Sequence, residues 1–178
     1  MTQGDSAEVL IVDDEAGMRV VLQRFVSAMG HRVHTCRSGA SALELIDKGI
    51  PAEVVLSDIK MPGMDGIELL RELKARHGEV EVILFTGYAG LEIALDAIRH
   101  GAFDLIIKPF KMERLGLALG RAAERVSFHQ ERARLVQALS DCELECRRLT
   151  RLAGELHERA IGRRGQPARE EEPAVAGE

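Results

Sequence analysis

The chain has 178 residues, 46% of them hydrophobic but only 3% aromatic and none of them Trp, so its core must be aliphatic. A formal net charge of -5 argues against nucleic-acid binding driven by bulk charge, and no apolar run approaches the roughly 20 residues that cross a bilayer. The N-terminal residues lack the basic and apolar regions of a secretion signal, and Cys36, Cys142 and Cys146 have no disulfide-framework spacing, so the expectation is a reduced, soluble, cytoplasmic protein.

In chain order, VLIV at residues 9–12 is a short, fully apolar run, as in a strand covered on both faces. Met18, Val21, Leu22, Phe25 and Met29 follow at helical spacing, and Gly30 ends that helix. HRVHTC at residues 31–36 is a second, weaker strand, and residues 40–48 a short helix. VVLS at 54–57 is the third strand. Residues 66–77 form a helix with Ile67, Leu70 and Leu73 on one face. EVILF at 81–85 is the fourth strand, and residues 91–100 a helix with Ala94, Ala97 and Ile98 inward. DLII at 104–107 is the fifth strand, followed by a fifth helix. Such alternation predicts an α/β fold with a doubly wound, five-stranded parallel sheet in the order 2-1-3-4-5, flavodoxin-like.

The polar residues fall at one rim of that sheet. The first strand runs into Asp13 and Asp14, the third into Asp58, the fourth into Thr86 and the fifth into Lys108. These are the carboxyl ends of parallel strands, where open α/β sheets bind ligands. Only the second strand contributes nothing. Singly, each residue has a plain explanation: Asp13 and Asp14 as helix caps, Asp58 as a turn, Thr86 as a strand end, Lys108 as a surface lysine. Their convergence favours a site. Three crowded carboxylates call for a cation, and Mg²⁺ with oxygen ligands fits. A metal, a lysine and a hydroxyl around one carboxylate suit a phosphoryl group. Asp58 is then the nucleophile, with Lys108 and Thr86 on the phosphoryl oxygens. Asp65 is assigned to capping the third helix.

The segments VLIVDDE, SDIKMPGMDG, FTGYAG and GAFDLIIKPF stand in this order. Through them, residues 9–111 resemble the receiver domain of bacterial two-component response regulators. The resemblance implies that Asp58 takes a phosphoryl group from a histidine kinase or phosphotransfer protein. It implies that Asp14, Asp58 and the backbone carbonyl of Lys60 hold Mg²⁺, with Asp13 assisting through water. It implies that Thr86 and Lys108 sense the phosphoryl group, and that the Lys108–Pro109 bond is cis. The family often has an aromatic switch residue three positions before the lysine; here that position is Leu105. Tyr88 is expected near the mouth of the site.

Beyond Lys111 no strand follows, and one long helix is expected, with room for one break. Phe128, Leu135, Cys142, Leu149 and Leu156 recur every seventh residue, and Arg132, Leu139, Cys146, Ala153 and Ala160 lie four further on. From Leu135 to Ala160 this is a coiled-coil seam, whereas Leu115, Leu119, Ala122 and Val126 follow a different phase and pack on the sheet. The expected organisation is a receiver at 7–127, a helical extension at 128–161 and a disordered tail at 162–178. No helix-turn-helix pattern appears. The leading reading is a phosphoacceptor that signals through a downstream protein partner and a homodimer, with no nucleic acid, no membrane and no enzymatic activity beyond slow self-dephosphorylation. The alternatives are a dimeric scaffold that does not switch and a Mg²⁺-dependent phosphatase.

Overall fold

The computed structural model describes residues 6–87 and 90–163, with side-chain surroundings through His157. Ten elements alternate: β1 (Glu8–Val12), α1 (Ala16–Ala28), β2 (Arg32–Cys36), α2 (Gly39–Asp47), β3 (Val54–Asp58), α3 (Gly66–Arg76), β4 (Glu81–Thr86), α4 (Leu91–Arg99), β5 (Asp104–Ile107) and α5 (Met112–Arg163). The five strands form one sheet in the order β2-β1-β3-β4-β5, and every pairing is parallel. The expected fold is the observed one.

Strand alternation divides the core between the two faces. Val9, Ile11, Val54, Leu56, Ile83 and Phe85 point to the face covered by α1 and α5. Leu10, Val12, Val55, Val82 and Leu84 point to the face covered by α2, α3 and α4. From Val9 to Val12, from Val54 to Leu56 and from Val82 to Phe85 every apolar side chain is fully buried. This is why these strands read as unbroken apolar runs. Edge strands β2 and β5 are only partly covered, which accounts for their weaker pattern.

The first five turns of α5 belong to this core. Leu115, Ala118, Leu119 and Ala122 are fully buried, and Val126 nearly so. The compact receiver unit extends through Glu131, and residues 132–163 form a separate unit. Helix α5 is unbroken from Met112 to Arg163. The segment expected to be disordered is thus helical at residues 162 and 163, and its remainder, 164–178, lies outside the described residues.

One inward assignment is corrected. In α4, Ile98 is 72% exposed and Ala97 is the buried residue, with Ile93 packed beside it. A nine-residue helix offers few turns from which to fix its phase, and apolar residues stand on both sides of it. In α1 the buried pair is Leu22 and Val26, while Val21 and Met29 lean towards solvent.

Because Leu119 is enclosed and Leu149 is 56% exposed, their truncations separate the two parts of α5. Leu119→Ala is expected to lower receiver stability by about 2–5 kcal/mol. Leu149→Ala should change it by less than about 0.5 kcal/mol. Urea denaturation of both variants, followed by circular dichroism, measures the contrast.

Candidate functional site

The sheet order reverses at β1, whose neighbours are β2 and β3, and the crevice opens at the carboxyl ends of β1 and β3. Asp13 follows β1 directly, Asp58 is the last residue of β3, Thr86 the last of β4, and Lys108 the first residue past β5. Asp13, Asp14 and Asp58 each offer a carboxylate oxygen within 4.8 Å of the others. Asp13 is buried, Asp58 half-buried and Asp14 exposed. The Lys108 ammonium donates to Asp58 Oδ2 at 2.7 Å and to Asp13 Oδ2 at 3.4 Å. Thr86 is fully buried, and its carbonyl accepts from the Lys108 N–H at 2.7 Å, which ties β4 to the residue that carries the ammonium. The Lys108–Pro109 bond is cis, as expected. Beneath it Phe110 stacks on Phe85, their ring centroids 5.1 Å apart.

The charges explain the shifts in acidity. Burial raises the Asp13 carboxyl above its ordinary range, against the lowering effects of the Glu15 N–H and the Lys108 charge. Burial works against the Lys108 ammonium, but its hydrogen bond to Asp58 and the charges of Asp58 and Asp13 outweigh it and raise its pKa. One cation facing three acids leaves negative charge in surplus. Hard oxygen donors this close together fit a divalent ion such as Mg²⁺.

The loop after β3 is held from several sides. The Lys60 N–H donates to Asp58 Oδ1 at 3.3 Å, and the Ile59 N–H to the Phe85 carbonyl at 2.9 Å. Asp65 caps α3 as assigned: its carboxylate accepts from the Ile67 and Glu68 N–H groups, and Glu68 returns a bond to the Asp65 N–H. Sequence reasoning missed Gly66. A Cβ there would stand 2.4 Å from the Asp58 carbonyl oxygen and 2.8 Å from Ile59 Cα, so only glycine lets α3 begin this close to the end of β3. A glycine at the first helical position, where it is a poor helix former, was the available signal. Arg19 was also missed; its guanidinium donates to the Asp13 carbonyl at 2.6 Å, and no local pattern announces it.

The second strand is not idle. The Cys36 carbonyl accepts from the Asp13 N–H at 3.4 Å, so β2 reaches the site through its main chain. The Cys36 thiol is pushed up to about 11 by burial, which suits an inert side chain. Leu105 is half-buried on the α4 side of the sheet, packed against the second core. Tyr88 lies outside the described residues. A groove of about 820 Å³ opens from Asp14 and Lys60 between α3 and α4. Another hollow, of about 420 Å³ beside His77 and His129, lies at the amino ends of the strands and shares no residue with the site.

An open parallel sheet with this acid-and-lysine rim defines a receiver-type fold and site. Residues 9–119 match the family described as "Response regulator receiver domain", and the chain belongs to that family. The regulatory protein AtoC of Escherichia coli K12 is 43% identical over 132 residues, 74% of this chain and 28% of AtoC. The DNA-binding transcriptional regulator NtrC of the same organism is 40% identical over 69% of this chain and 25% of its own length. Among solved structures, NtrX from Brucella abortus superposes with a TM-score of 0.67 at 38% identity, over 74% of this chain and 30% of NtrX. A receiver domain protein from Clostridium thermocellum gives 0.65 at 30% identity, over 68% of this chain and 98% of that one. The chain thus spans about a quarter of the length of these curated relatives. Among the described residues, no helix is long and apolar enough to cross a membrane.

Gly66→Ala is expected to destabilise the receiver by at least about 2 kcal/mol, because the methyl group meets the Asp58–Ile59 backbone and no flexible side chain can yield. Chemical denaturation of the purified variant measures it.

Proposed function

We propose that this receiver is a phosphorylation switch in which Asp58 accepts a phosphoryl group from a histidine kinase or a phosphotransfer protein. The observation that carries the reading is the Lys108 ammonium held between Asp58 and Asp13, at the strand ends where Thr86 also stops. An Asp58 oxygen bonds to phosphorus as the donor's P–N bond breaks, and the departing imidazole keeps that electron pair. A Mg²⁺ ion, when bound, supplies positive charge to the phosphoryl oxygens. Asp14, Asp58 and the Lys60 carbonyl would hold it, with Asp13 acting through water. Lys108 then exchanges its Asp58 contact for a phosphoryl oxygen, and the Thr86 hydroxyl donates to another. With Leu105 at the position the family often fills with an aromatic, the response travels by aliphatic repacking. The acyl phosphate is the signal, and its hydrolysis is slow and incidental.

The output proposed is a protein partner, reached through a homodimer. Leu135, Leu139, Leu149 and Leu156 are each more than half exposed, and Cys142 and Cys146 are exposed free thiols on the same stripe. A heptad stripe of this length suits a coiled coil with a second copy of the chain. The DNA-binding role in NtrC's name is not carried over, since the similarity covers only a quarter of NtrC.

Incubation with a small phosphodonor and Mg²⁺ should add one phosphoryl group to the wild type and none to Asp58→Ala, read by intact-protein mass. No gain in the wild type would favour the non-switching scaffold, and steady release of phosphate from small phosphoesters would favour the phosphatase. Truncation after Glu131 should yield a monomer in sedimentation that is still phosphorylated. A truncated chain that stayed dimeric would move the interface onto the receiver.

A further inference from the structure

Asp13 is 1% exposed, so each of its polar groups must find a partner inside the protein. Its N–H donates to the Cys36 carbonyl, its Oδ1 accepts from the Glu15 N–H at 2.8 Å, and its Oδ2 accepts from Lys108. The remaining group is its carbonyl oxygen. The last β1–β2 ladder bond uses the N–H of residue 13 rather than its carbonyl, and residue 13 precedes α1, so the carbonyl lies outside the helix as well. The partner it has is Arg19, one turn into α1, whose guanidinium donates at 2.6 Å.

That oxygen belongs to the peptide plane joining Asp13 to Asp14. Fixing it fixes the rotation of the plane, and with it the direction in which the Asp14 carboxylate leaves the chain relative to that of Asp13. Asp14 is exposed and relies on its backbone for orientation. We infer that Arg19 is a positioning residue for the metal pocket: it locks the Asp13–Asp14 peptide so that both carboxylates converge on one divalent cation. This rests on reading the acid cluster as a metal site.

Two effects of Arg19 oppose each other, so the sign of the outcome is informative. The guanidinium, bonded to the Asp13 main chain, adds positive charge next to the pocket, and removing that charge alone would tighten Mg²⁺ binding. Removing the lock leaves a buried carbonyl without a donor and frees the peptide to rotate, which weakens binding. The half-exposed guanidinium is screened by solvent, whereas the carbonyl it serves is enclosed, so loss of the lock dominates.

The test is calorimetric titration of the full chain with MgCl₂ alone. Arg19→Met should bind Mg²⁺ about tenfold more weakly than wild type, the usual size of effect when a group orienting a metal ligand is lost. Arg19→Lys, which keeps the charge and one donor, should fall between. In phosphorylation assays the Mg²⁺ concentration for half-maximal rate should rise, while the rate at saturating Mg²⁺ stays within about twofold of wild type. A general loss of fold would not produce that split. If Arg19→Met does not fold, Arg19→Gln, with a neutral and shorter donor, is titrated instead and should show the same weakening. Equal or tighter Mg²⁺ binding by the variant overturns the inference and leaves the pocket reading intact. A wild type that takes up no Mg²⁺ sinks the pocket reading, and this inference with it.

Discussion

Mutual repulsion among three carboxylates is the constraint around which the carboxyl rim of the sheet is organised. Asp13, Asp14 and Asp58 are brought within 4.8 Å of one another with a single ammonium between two of them. Such an arrangement costs folding free energy, most plainly at Asp13, whose burial favours the neutral acid. The stable aliphatic layers on both faces of the sheet offset that cost. Strands buried on both sides keep their ends from spreading apart, so the acids remain close. The rigidity of the core and the unease of the rim are two halves of one design.

Much of this was legible in the sequence, because the signals were periodic or convergent. Apolar runs of four residues at β1 and three at β3 have one physical meaning once they alternate with amphipathic helices. Five polar residues at the ends of four such runs have one location, since parallel strands place all carboxyl ends together. The cap at Asp65 was legible because it is local, a short acid directly before the helix it caps.

What escaped was main-chain and long-range. Gly66 matters through a distance to another backbone segment, and that distance exists only after folding. Arg19 acts on a carbonyl oxygen, an atom every residue has. Ile98 was placed inward because it is large and apolar, yet α4 turns its small Ala97 to the core and leaves Ile98 outside. Size and hydrophobicity say what a side chain prefers; the phase of a short helix is set by its neighbours. The inward phase of the first turns of α5, by contrast, was readable: Leu115, Leu119, Ala122 and Val126 are buried on the sheet as expected.

The bond from the Asp13 N–H to the Cys36 carbonyl brings the edge strand into the site without using any side chain of that strand. A contribution made by a carbonyl survives nearly every substitution at its own position. Residue 36 can therefore exchange its side chain for another of similar size, packed as Cys36 is against the second core, and keep this bond. An isotopic label at the residue 36 carbonyl would sit next to the acid cluster and report on it while leaving every carboxylate unchanged.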